Sequence, residues 1–170
     1  MGLVDLFKFG NESEKKKFHS LYEKAKGYFP DCNEREIIIS TCIAGLCARV
    51  AYVDMKIGQD EAEQLKKTLK DWTRLADKNI DYLGAMAIEQ VKDFCGMENH
   101  LYSGPLNDIL DKREKVELLV ALFALSAADG AVSNYESEEI RLIAKSLRLN
   151  DQYYLAARAT VLKKLQALKK

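Results

Sequence analysis

Carboxylates are the side chains that this 170-residue sequence arranges in a recurring pattern. The unit D-x-x-[IV]-x-x-x-E-x-E-x-[LI] occurs at Asp54 to Leu65 and again, 75 residues later, at Asp129 to Ile140. Aligning residues 42–69 with 117–144 pairs Asp54 with Asp129, Ile57 with Val132, Glu61 with Glu136, Glu63 with Glu138 and Leu65 with Ile140. Only three of those 28 positions are identical, yet an apolar helical run precedes each unit and a capped helical pattern follows it in the same register. Agreement at all three levels makes an internal duplication the reading of choice. Oxygen donors of this kind could hold a divalent cation, with calcium, magnesium, manganese and zinc as the candidates.

The two kinds of acid call for different explanations. Glu61 and Glu136 stand three residues after Gly58 and Ser133, where a carboxylate bonds free backbone N–H groups and meets the positive end of a helix. Capping is enough to explain them. Asp54 and Asp129 follow buried helices, whose terminal carbonyls make an anion unfavourable by roughly 0.3–1 kcal/mol. One compensation is an Asx-type bond from each Asp to loop N–H groups, with Gly130 supplying a positive-φ turn in the second copy. The other is a cation shared by Asp54, Glu61, Asp129 and Glu136. An ordinary EF-hand is excluded. Asp129, Gly130, Val132 and Glu136 take the fifth, sixth, eighth and twelfth places of that loop, but its first and third places hold Leu125 and Ala127, or Val50 and Tyr52 in the other copy, and Met55 stands where the loop needs Gly.

Other chemistries lack their residues. Carboxylate-bridged helical metalloenzymes use Glu-x-x-His pairs, whereas Lys16 and Met97 precede His19 and His100 here. No Gly-rich phosphate loop and no nucleophile–base pairing is present. Cys32, Cys42, Cys47 and Cys95 form no C-x-x-C pair and read as buried thiols of a reducing compartment. Twenty-six basic and twenty-six acidic residues leave no net charge, and acid stands where a recognition helix would begin, so nucleic acid is not expected as a partner.

The elements that must position these acids are helices. Pro30 and Pro105 lie between periodic segments. Phe18, Leu21, Tyr22, Ala25 and Phe29 mark an amphipathic helix over 11–29, with Asn11 and Glu14 at capping-box spacing. Asn33 with Glu36 opens a helix to Val53 that is apolar on every side, and Asp111 with Glu114 opens a second over 116–128. Gly58 precedes a helix to about Leu75, a further helix spans about 80–95, Ser133 with Glu136 starts another, and a last helix runs from about Asn150 to Leu168. Residues 96–108, with Gly96, Gly104 and Pro105, read as an irregular connection. No alternating strand pattern occurs. The expected fold is therefore an all-α, single-domain bundle of about seven helices, with an N-terminal extension over 1–30 and repeat halves over about 33–95 and 108–168.

The apolar runs 37–53 and 116–128 carry Arg49 and Glu117 and fall short of the roughly 20 residues that span a bilayer, so no transmembrane segment is expected. Met1 to Phe9 lack the pattern of a signal peptide, and Leu6 replaces the Ser or Thr of a myristoylation motif. Leu3, Val4, Leu6, Phe7 and Phe9 read as a short docking helix, with a membrane-touching helix as the lesser alternative.

The stretch Ala-Ala-Asp-Gly-Ala-Val-Ser-x-x-Glu at Ala127 to Glu136 resembles the signature of TerB-like proteins, the tellurite-resistance family. The paired helix-loop-helix halves from about Asn33 to Lys164 resemble that family's internally duplicated helical bundle. The resemblance implies a cytoplasmic, non-enzymatic, stress-associated protein with an acidic candidate metal site, carried over onto Asp54, Glu61, Asp129 and Glu136. It also implies a protein partner near a membrane. The alternatives are a helical metalloenzyme using the same carboxylates, and an interaction domain in which the acids are helix caps.

Overall fold

The computed structural model describes residues 12–55, 57–73, 75–93 and 99–168. Eight helices succeed one another among them: α1 Glu12–Tyr28, α2 Glu34–Ala51, α3 Gln59–Trp72, α4 Asp77–Asp93, α5 His100–Ile109, α6 Lys112–Ser126, α7 Asn134–Ser146 and α8 Asp151–Leu168. No strand occurs among the described residues. The apolar N-terminal stretch over 1–9 and the Asn11–Glu14 capping box lie outside the described residues and side chains.

Helix starts follow the capping chemistry. Asn33, Asp111 and Ser133 each accept the N–H of the residue three places on, and Glu36, Glu114 and Glu136 each accept the N–H of the cap. Such reciprocal bonds satisfy two of the donors that a helix end leaves free. α3 stops earlier than its periodicity predicts. Thr73 turns to φ −131°, ψ 163°, while its hydroxyl donates to the Leu69 carbonyl at 2.6 Å, so Leu75 lies past the end. α7 closes through a left-handed Arg148, φ 60°, with Arg148 N donating to Lys145 O and Leu149 N to Ala144 O, both at 2.9 Å.

α2 is the axis of the bundle, buried along nearly its whole length and packed against α1, α3, α4, α5, α6 and α7. Such all-round burial is what its apolar composition requires. Ile43, Leu46, Leu65, Leu83, Leu106, Leu122, Phe123 and Ile140 form the shared core. Gly45 matters most for α5. A Cβ there would collide with the ring of Tyr102, so its absence lets the two helices close on one another.

α5 corrects the expectation of an irregular connection over 96–108. Gly104 stands before Pro105 and has no Cβ to meet the proline ring, the usual clash that keeps the preceding residue out of helical backbone. Pro105 therefore sits inside α5, and burial of Leu101, Tyr102 and Leu106 holds the helix in place. Ser103 Oγ donates to Asn99 O at 3.0 Å and contacts Ser146 Oγ, and Asn107 Nδ2 donates to Ser146 O at 2.9 Å. These bonds fasten α5 to α7.

Among the described residues no helix is long and apolar enough to cross a membrane. Cys42 and Cys47 are buried free thiols, and burial pushes the latter up to about 12. Cys32 is only half-buried, and Cys95 lies outside the described residues.

Candidate functional site

The acids belong to two loops of one construction. In the first, Tyr52 N donates to Ala48 O at 3.0 Å, Val53 N to Val50 O at 3.4 Å and Met55 N to Tyr52 O at 2.9 Å. In the second, Ala127 N donates to Phe123 O at 2.9 Å, Ala128 N to Leu125 O at 3.1 Å and Gly130 N to Ala127 O at 3.0 Å. Each bond recurs 75 residues on. Met55 and Gly130, equivalent in that register, both adopt left-handed backbone, φ 67° and φ 96°. The sequence marks Met55 as a departure from glycine, yet the turn it builds is of the same kind. α2 and α6 end at equivalent residues, Ala51 and Ser126, and α3 and α7 begin at equivalent residues, Gln59 and Asn134.

The other positions of the motif have plain roles. Ile57 and Val132 are the apolar plugs, half-buried against the core, and Leu65 and Ile140 lie within it. Glu63 and Glu138 are exposed and pair with Lys66 at 3.6 Å and Arg141 at 3.9 Å, one turn further on. They are surface ion pairs of small energetic weight.

Packing brings the two loops to one end of the bundle. α2 touches α7 and α3 touches α6, while α2 and α6 also touch each other, so each helix-loop-helix unit clasps the other reciprocally. Arg49 and Glu139 fasten the clasp. Glu139 Oε1 accepts from Arg49 Nη2 at 2.8 Å and from Arg49 Nε at 2.9 Å, with side chains only 17% and 11% exposed. Sequence reasoning missed this pair. The available signal was Arg49 itself, a permanent cation and the one charged residue in the run 37–53.

Glu61 records the crowding. Burial raises its pKa, the Gly58 N–H bond opposes that shift, and the negative charges of Glu136, Asp54 and Asp129 raise it further. The four candidate acids thus share one electrostatic neighbourhood. Glu61 and Glu136 are half-buried, whereas Asp54 and Asp129 are exposed.

Three of these carboxylates have one oxygen committed. Glu61 Oε2 accepts Gly58 N–H at 2.6 Å, Glu136 Oε2 accepts Ser133 N–H at 2.7 Å, and Asp129 Oδ1 accepts Ala131 N–H at 3.0 Å. The last is the Asx bond that an Asp beyond a helix C-terminus requires. Its counterpart at residue 56 lies outside the described residues. The second oxygen of each of these three accepts no further hydrogen bond among the described residues. Among the described residues no three His, Cys, Asp or Glu side chains converge closely enough to hold a metal ion directly. The four carboxylates form an all-oxygen donor set, the ligand type of hard cations such as magnesium. It holds no soft ligand that would select zinc over harder ions.

A family model described as tellurite resistance protein TerB matches residues 40–159, about seven tenths of the chain, and spans both acid loops. No curated protein and no solved structure matches the chain.

Proposed function

The chain belongs to the TerB family, and on that premise we propose that it is a non-enzymatic, stress-response binding module whose acid end takes a hydrated divalent cation. The carrying observation is the crowding of Asp54, Glu61, Asp129 and Glu136: burial raises the pKa of Glu61, and the charges of the other three raise it further. Like charges kept together at a fold's end create a negative potential that a divalent cation relieves. The shared loop geometry reads as an internal duplication in which each unit contributes one loop Asp and one helix-start Glu. Carboxylate oxygens supply part of the coordination and water supplies the rest, a donor set that favours magnesium, calcium or manganese over zinc. In this reading a bound ion is structural or regulatory, and among the described residues no histidine stands beside the carboxylates.

Thermal melts of chelator-treated protein with magnesium, calcium, manganese or zinc test this reading. At a cation concentration 100 times Kd, preferential binding to the folded state stabilises by about 2.7 kcal/mol, or roughly 5–10 °C for a chain of this size. The shift should vanish in an Asp54→Ala, Asp129→Ala double variant. The cation reading is wrong if no ion moves the wild-type midpoint or if the double variant shifts equally.

Met55 and Tyr135, 64% and 74% exposed, stand beside Asp54 and Glu136 and favour a second reading, in which a basic, partly apolar segment of a partner protein docks on the acids. That reading expects salt-sensitive partner binding and no ion-induced change in the melt.

A further inference from the structure

The opposite end of the α2–α3 hairpin holds a cavity that the acid loops do not touch. It has a volume of about 270 Å³ and is lined by Arg35, Glu36 and Ile39 from the first turns of α2 and by Trp72 and Thr73 from the end of α3. The 18 residues of α2 separate it from the first acid loop by roughly 27 Å.

We propose that this cavity binds a free apolar α-amino acid, its carboxylate on the Arg35 guanidinium, its ammonium on the Glu36 carboxylate and its side chain between Trp72 and Ile39. Arg35 and Glu36 are consecutive on the helix, and residues at that spacing do not face each other. They line one cavity without pairing: Arg35 has no carboxylate partner among the described residues, and Glu36 uses only Oε2, accepting Asn33 N–H at 3.3 Å. A ligand carrying both charges on neighbouring atoms joins them, and the planar guanidinium matches a carboxylate in two-point geometry. Burial of the ligand's apolar side chain against Trp72 and Ile39 adds the hydrophobic contribution. Thr73 closes the cavity without competing, because its hydroxyl already donates to Leu69 O at 2.6 Å. The size is selective as well. Pockets for drug-sized ligands start near ~300 Å³, so this one suits a single amino acid. A peptide terminus presents only one of the two charges.

Trp72 is the only tryptophan in the chain, so its emission reports occupancy directly. Wild-type protein would be titrated with L-leucine and L-phenylalanine, with 4-methylpentanoate, which lacks the ammonium, and with 3-methylbutylamine, which lacks the carboxylate. Each titration would be repeated by calorimetry. A saturable response to at least one of the two amino acids is expected, with at least about tenfold weaker binding of both single-charge analogues and of leucine by Arg35→Ala. Glu36→Gln keeps an oxygen for the Asn33 N–H bond. It should weaken leucine and leave 4-methylpentanoate bound at least as tightly as by wild type, since a negative charge beside the anion is removed. Melts of both variants establish that they fold. The proposal is overturned if neither amino acid gives a saturable response by either method, if Arg35→Ala titrates like wild type, or if an analogue binds as tightly as the amino acid.

Discussion

The second acid loop turns on Gly130 at φ 96°, and alanine there isolates a single physical effect. A Cβ at this position would meet nothing within 4 Å, so Gly130→Ala adds backbone strain without a packing change. A left-handed backbone costs an L-residue roughly 1–2 kcal/mol, and alanine returns about 0.4–1 kcal/mol by restricting the unfolded chain. The net loss is about 1 kcal/mol, or roughly 2–4 °C for a chain of this length. Gly27 in α1 is the control, with equally open space for a Cβ and no positive φ. Gly27→Ala should raise the midpoint, by up to about 0.5–1 kcal/mol. Melts of the two variants, recorded in chelator and checked by urea unfolding, should therefore differ by roughly 3–8 °C with Gly27→Ala the higher. If Gly130→Ala melts at or above Gly27→Ala, the left-handed turn beside Asp129 is not the solution conformation. Met55, at φ 67°, lies closer to the left-handed minimum near ~57°, which explains why the first loop tolerates a side chain there.

Ser133 accepts the Glu136 N–H at 3.1 Å, so Ser133→Ala should lower stability by about 1 kcal/mol; at Gly58, which has no side-chain cap, Gly58→Ser should raise it by a few tenths in the same melts. Arg49→Ala strands the mostly buried Glu139 and should cost about 3–5 kcal/mol in urea unfolding, whereas Arg49→Met combined with Glu139→Leu should recover most of that loss; a double variant as unstable as the single one would assign the loss to packing instead. For Glu61 the folded pKa is raised, so the proton's stabilising contribution is complete below the unfolded value of about 4.3 and is lost as pH rises through the folded pKa. Without cation, Glu61→Gln should then melt above wild type at pH 7 and converge with it near pH 4, and a saturating divalent cation should reverse the order at pH 7.

The helix starts were legible because capping is local chemistry: Asn33–Glu36, Asp111–Glu114 and Ser133–Glu136 each place donor and acceptor within one turn. The all-round apolar character of α2 also marked it as buried on every side, whereas α6, read the same way, keeps Glu117 exposed and Val120 half-buried; that α2 is the axis depends on tertiary packing. α5 escaped because Gly104 and Pro105 are helix breakers one at a time. Their order removes the clash, and the stabilising contacts with α2 and α7 come from residues distant in sequence. The Arg49–Glu139 pair was hidden for the same reason, being 90 residues apart along the chain. For the acids, the spacing of each unit could be read directly, but their gathering at one end depends on α2 meeting α7 and α3 meeting α6, which periodicity does not encode.

The two loops keep the same turn bonds with three identical residues in 28, and this separates what the backbone demands from what the site demands. The backbone needs a left-handed residue, an apolar plug and a cap. The first loop meets these with Met55, Ile57 and Gly58, and the second with Gly130, Val132 and Ser133, so these positions vary while the turn does not. Carboxylates are not needed at all four remaining positions for that purpose. Glutamate closes the capping box, and an Asx turn can use Asn as well as Asp; yet both loops carry Asp and Glu despite the burial and the repulsion that raise the pKa of Glu61. The proposed cation site would require charge at these four positions, rather than hydrogen-bonding capacity alone. Replacing Asp129 by Asn should therefore keep the turn and its stability while weakening the cation-induced shift in the melt, whereas a site built for capping alone would lose neither.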